Sequence, residues 1–283
     1  MKTFDDLNCA LGEGPLWHPL RGQLFWFDIL NRRMITVENG KRRIRDFEDM
    51  VSAAGWIDGN RMLIAGEKGL SVLNLTDDSR KHLINIEADN PETRSNDGRA
   101  DPWGGFWIGT MGIQAQPDAG SIYRYFRGEV RQLYHPITIS NSICFAPDRR
   151  TAYFTDTARG VIMSQSLNPA DGWPEGDPQP FIDFRDEEIS PDGAVVDCAG
   201  NLWSAQWGRG RVAIYDKNGK YLKAFSVPAP HSSCPAFGGE DLNMLFVTTA
   251  REHISPEDLT ENDGRTFYTL TEFKGQAEHR VLL

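Results

Sequence analysis

One pair of motifs recurs six times along this chain, and that recurrence constrains the fold more than any other feature. A short segment with a small or polar centre is followed, 8 to 11 residues later, by a compact apolar stretch. The centres are Glu13, Ala54, Asn96, Asn141, Asp192 and Ser233, at steps of 41, 42, 45, 51 and 41 residues. The apolar stretches include Leu24 to Phe27, Met62 to Ile64, Phe106 to Ile108 and Ala152 to Phe154, and Gly or Asn turn residues usually precede them. Leu202 to Trp203 and Met244 to Val247 complete the set. Aromatic and branched residues bounded by turn residues are the mark of strands. A second strand-like stretch follows each one, as in Met34 to Val37, and several lead to a third, as in Tyr221 to Val227. A period of about forty to fifty residues carrying about four strands predicts a propeller blade. The chain is therefore expected to be all-β, a six-bladed β-propeller, with residues 1–283 as a single domain. Tandem β-sandwiches would explain the strands but not one equivalent polar position per repeat. Thr3 to Leu7 is expected to lie beside Arg280 to Leu283 and close the ring, because an open sheet edge invites aggregation.

Composition excludes several classes of function. Thirty basic against 40 acidic residues give a formal charge of -10, a field that does not hold nucleic acid or an anionic bilayer. No apolar run approaches the roughly 18 residues of a membrane helix. The opening MKTFDDLNCA has no apolar core and does not read as a secretory signal. The four cysteines, Cys9, Cys144, Cys198 and Cys234, form no CxxC pair. A reduced, cytoplasmic protein is expected. No nucleic-acid, membrane or protein partner is inferred.

In a propeller the first strand of each blade lines the central channel, whose mouth is the usual ligand site. Glu13, Asn96, Asn141 and Asp192 would then converge from four blades on one axis. Two carboxylates and two carboxamides are oxygen donors suited to a hard divalent cation such as calcium, magnesium or manganese. Each residue taken alone reads as a turn residue, since Asn-Asp-Gly and Pro-Asp-Gly are common turn tripeptides; four at matched repeat positions do not. No GxSxG elbow and no HExxH helix occur, and the six histidines show no ligand spacing. His231 lies two residues before the channel position at Ser233. Trp17 and Trp207 either wall the pocket or pack between blades, with core packing the expected role.

The same segments carry a resemblance. Leu11-Gly12-Glu13-Gly14-Pro15-Leu16-Trp17, Arg94-Ser95-Asn96-Asp97-Gly98, Gly109-Thr110-Met111, Ser140-Asn141-Ser142, Pro191-Asp192-Gly193 and Phe237-Gly238-Gly239 together resemble the SMP-30/gluconolactonase/regucalcin-like family, in order and over essentially the whole chain. The resemblance implies a six-bladed propeller that binds one divalent metal ion (calcium, zinc, magnesium, manganese or iron) and hydrolyses a small-molecule sugar lactone. It implies that Glu13, Asn141 and Asp192 ligate the metal and that Arg94 and Asn96 face the substrate. The repeat count does not pick out Arg94. Some family members place a glutamate four residues before the glycine of the Gly-Ser-Ile-Tyr strand, where it touches sugar hydroxyls. Here that substrate-facing position is Gln116, so the choice of sugar does not carry over.

The reaction expected is metal-assisted opening of an aldonolactone to the aldonic acid. Asp192 is the candidate general base, and Arg94 and Asn96 are donors to ring hydroxyls or to the developing oxyanion. The competing reading is a calcium-binding regulatory or scaffold propeller without catalysis, because fold alone does not fix function.

Overall fold

The structure, a computed structural model, describes residues 1–283. It contains 24 strands, two single-turn 3-10 helices at Thr157–Arg159 and Arg185–Glu187, and no α-helix. The strands form six four-stranded antiparallel sheets, so the predicted six-bladed propeller is the observed architecture. The first blade runs outward from its inner strand Gly12–His18 through Gln23–Asp28 and Arg33–Glu38 to Lys41–Asp46. The other inner strands are Val51–Trp56, Thr93–Ala100, Ser140–Phe145, Ser190–Val196 and Ser232–Gly238.

A twisted sheet with apolar side chains on both faces must cover both, and stacking sheets around an axis does so. Six apolar clusters result, each shared by two neighbouring blades. Phe25, Phe27, Met62 and Ile64 lie between the first and second blades, and Trp107, Phe145 and Phe154 between the third and fourth. Trp26 and Phe246 join the first to the sixth. Trp26, Trp107 and Trp203, in alternate blades, are fully buried, each side chain stabilising by roughly 1.5–3 kcal/mol or more through the area removed from water.

Ring closure differs from the expectation in its partner. The N-terminal strand Lys2–Asp5 pairs antiparallel with Thr266–Leu270, and so completes the sixth blade from outside. Arg280–Leu283 instead belongs to a tail that crosses the axis at the C-terminal ends of the inner strands. Gln276 Nε2 donates to Phe145 O at 3.0 Å and Val196 O at 2.9 Å. Val281 N donates to Trp56 O at 2.9 Å and Leu282 N to Gly104 O at 2.8 Å. Val-Leu-Leu reads as a strand end, but Val281 is spent as a fully buried plug between the second and third blades.

Candidate functional site

All six inner strands break register with their neighbours at or near the repeat position. The shifts fall between Glu13 and Leu16, Ser95 and Gly98, Asn141 and Cys144, Pro191 and Ala194, and Ser232 and Pro235. A bulge inserts unpaired backbone and re-aims side chains, which here turns them toward the axis. Gly14 takes φ 53°, and a Cβ there would lie 2.2 Å from Ser52 O, so only glycine fits. Ser142 takes φ 57° without being glycine. Its Oγ donates to Asp192 O at 2.5 Å, and the next amide, Ile143 N, donates to Asp97 Oδ2 at 2.7 Å. The neighbouring blades thus satisfy the bulge that holds Asn141.

In the second blade the shift lies between Val51 and Ala53. The repeat count placed Ala54 on the axis, but Ala54 packs in the apolar cluster between the first two blades. The bulge residue is Ser52, whose hydroxyl donates to Ser95 Oγ at 2.8 Å. Ser233 is likewise structural, its Oγ donating to Gly12 O at 2.5 Å.

A cavity of about 440 Å³ opens at the N-terminal ends of the inner strands, with Glu13, Arg94, Asn96, Asn141 and Asp192 on its wall. Five of the six residues expected there are therefore brought together. The sixth, Gln116, is not on the wall: its Oε1 turns back on its own loop to accept Gln114 N at 3.0 Å, and Gln114 lines the cavity instead. Trp207 does wall the cavity, stacked on His231 with centroids 4.2 Å apart and planes 11° apart. Trp17 packs between blades, stacked on Phe246 at 5.8 Å. Sequence reasoning missed Glu252 and His253, on the irregular segment after Met244–Thr249, and Thr157, all of which line the cavity. A larger groove of about 720 Å³ along the outer strands of the third and fourth blades holds none of the expected residues, so size does not mark the site.

The amides are oriented. Asn141 Nδ2 donates to Thr157 Oγ1 at 2.9 Å, which donates to Pro191 O at 2.7 Å. Asn141 Oδ1 receives one hydrogen bond, from Asn96 Nδ2 at 3.2 Å, and keeps a lone pair. Asn96 Nδ2 also donates to Ser140 O at 2.9 Å, and its Oδ1 accepts from Arg94 Nη1 at 2.7 Å. Asn96 is therefore a brace between the guanidinium and Asn141, with both its donors committed. Arg94 Nε is buried with no partner.

Glu13 and Asp192 are 5% and 6% exposed, and neither forms an ion pair. Glu13 Oε2 accepts only its neighbour Gly14 N, at 2.8 Å. Burial first, and the other carboxylates next, push both acids above the usual carboxylate range; Glu13 and Asp97 act on Asp192, and Asp97 acts on Glu13. Burial raises Asp97 to about 6. Burial lowers Arg94, opposed by Glu252, Glu13 and Asp192. Two buried acids that form no ion pair, beside a fixed amide oxygen, fit a hard divalent cation. No three His, Cys, Asp or Glu side chains group to hold a metal, so such an ion would rest on mixed carboxylate and carboxamide oxygens.

Residues 11–251 match the family model described as the SMP-30/Gluconolactonase/LRE-like region. The chain belongs to this family. Within it, this SMP-30/gluconolactonase-like chain is 39% identical over 98% of its length to a Rhizobium meliloti protein provisionally named a sugar lactone lactonase, covering 95% of that protein. It is 33% identical to the 6-deoxy-6-sulfogluconolactonase of Pseudomonas putida, covering 95% of this chain and 94% of the relative. The crystal structure of a calcium-binding protein, regucalcin, from Agrobacterium tumefaciens superimposes with a TM-score of 0.97 at 38% identity, over 100% of this chain and 97% of the other.

Proposed function

We propose that this chain is a metal-dependent lactonase that opens a sugar lactone to the aldonic acid. The observation that carries the reading is one cavity holding two buried carboxylates that form no ion pair beside a guanidinium with a free donor. The names of the relatives support the substrate class. Glu13, Asn141 and Asp192 would hold a divalent cation, with calcium, zinc, magnesium, manganese and iron as candidates; bound there, it would supply Lewis acidity to the lactone carbonyl and acidify water.

The rest follows from the chain's own side chains. Asp192 takes the proton of the attacking water at a carboxylate oxygen. Arg94 Nε, unpartnered in the free protein, donates to the developing oxyanion or to a ring hydroxyl. Asn96 fixes the guanidinium by its 2.7 Å bond and keeps Asn141 Oδ1 aimed at the axis. No covalent intermediate is needed. The four free cysteines support a reducing, cytoplasmic setting.

A calcium-binding regulatory role is the second reading, favoured by the calcium-binding description of the Agrobacterium tumefaciens relative. A pure binding site gives no reason for a buried Arg94 with a vacant donor. Purified protein tested on a panel of sugar lactones separates the two. Exhaustive chelation should abolish ring opening while the β-sheet circular dichroism persists, and a divalent cation should restore turnover. Full activity at verified zero metal would overturn the lactonase mechanism.

A further inference from the structure

The cavity holds a third carboxylate that neither the repeat nor the metal set employs. Glu252 lies on the segment between Met244–Thr249 and Thr266–Leu270, and its side chain makes no hydrogen bond or ion pair although it is half-buried on the wall. Its position is not an accident of a loose loop. Glu252 N and Arg251 N both donate to Ala10 O, at 2.9 and 3.0 Å, and Ala250 bridges to Leu11. The segment is thus fastened to the chain that leads directly into Glu13. Trp207, held by its stack on His231, provides an apolar surface on the same wall. An acceptor-only carboxylate plus an aromatic face is the chemistry that receives a sugar, whose hydroxyls donate and whose C–H faces are apolar.

We propose that Glu252 is a specificity-determining residue that accepts hydrogen bonds from the hydroxyls of a neutral lactone and repels lactones bearing an anionic group, such as a phosphate or sulfonate. The proposal rests on the lactonase reading and narrows it. The charges on the wall are those of Glu13, Asp192 and Glu252 against Arg94 alone. A divalent cation brings the total to neutrality, which leaves no net positive charge to receive an anionic tail. Gln116, the position where the family resemblance implies an acidic hydroxyl acceptor, is not on the cavity wall, and its Oε1 accepts Gln114 N. Glu252 supplies that function from a different blade.

The test is Glu252→Gln, which keeps size and shape and removes one negative charge. For a neutral aldonolactone, kcat/KM should fall about ten- to a hundredfold, mainly through KM, on the scale of one hydrogen bond to a charged group. For the 6-phosphate of the same lactone, kcat/KM should rise severalfold. Calorimetry with the non-hydrolysable sugar lactam and its 6-phosphate should show the same reversal in affinity, independently of turnover. Equal changes for both members of each pair, or none, would overturn the assignment, as would loss of metal binding in the variant. A wild-type protein that opens none of the lactones would instead overturn the hydrolase reading, and the inference with it.

Discussion

The two ends of the axial channel are made by the same six strands, yet they are finished in opposite ways. At the C-terminal ends polar groups are matched. Arg99 and Glu278 form an ion pair with side chains 11% and 8% exposed, Trp56 Nε1 donates to Glu278 O at 2.8 Å, and Arg280 Nε donates to Ile57 O at 2.6 Å. At the N-terminal ends Glu13 and Asp192 have no counter-ion and Arg94 Nε has no acceptor. One end secures the ring, while the other keeps unspent charge and donors for something that arrives from outside. Buried charge of this kind costs stability and marks function.

Breaking the satisfied end should produce the largest effect, and on stability alone. Glu278→Ala leaves Arg99 buried without its partner and should cost about 3–5 kcal/mol. Thermal unfolding should remain one transition, shifted down, while folded protein keeps its kcat. A loss of kcat with unchanged melting would reverse the assignment of the two ends. At the unsatisfied end, Asp192→Asn should lower kcat on the order of a hundredfold, or about 2.7 kcal/mol, even at saturating metal. Glu13→Gln, which loses the same charge without a proton-transfer role, should recover much of its rate as metal is raised. Equal recovery of both variants would leave Asp192 a ligand only. Arg94→Ala should reduce kcat/KM some tens-fold with metal affinity by calorimetry nearly unchanged; a large drop in that affinity would move Arg94 into the metal site.

Titration sharpens the electrostatic part of the comparison. Glu13 and Asp192 have folded pKa values above their unfolded ones. In chelated protein the native state therefore holds more protons than the unfolded chain above the ordinary carboxylate range. Stability is greatest below that range and falls as pH rises toward about 8. Melting temperatures of chelated protein should decline across this window, and Glu13→Gln should flatten the decline. Added divalent cation should flatten it too. A melting temperature that rises with pH there would contradict the burial of uncompensated acids.

The fold was legible because blade strands are local patterns of apolar and turn residues, each readable without knowledge of its neighbours. The registers that aim side chains were less so. The second blade's shift skips one residue, between Val51 and Ala53, where the others skip two, and no composition signals that difference; Ala54 was misplaced for this reason. Glu13, Asn96, Asn141 and Asp192 were found because they sit at repeat positions. Arg94 emerged only through family resemblance, since its position two before Asn96 has no repeated counterpart. Glu252 lies in a segment without periodicity, and its place on the wall depends on backbone bonds to Ala10, 242 residues away in sequence. An acidic residue three positions after the end of a blade's second strand was the one available signal.

The tail that crosses the axis has a kinetic consequence. Gln276, Glu278 and Val281 cover the far end of the channel, so the cavity opens at one end. On the proposed lactonase reading, lactone would enter and aldonate would leave by one door. Accumulating aldonate should therefore inhibit competitively. The net charge of -10 on the whole chain would then favour expulsion of that anion into bulk water and help to clear the doorway.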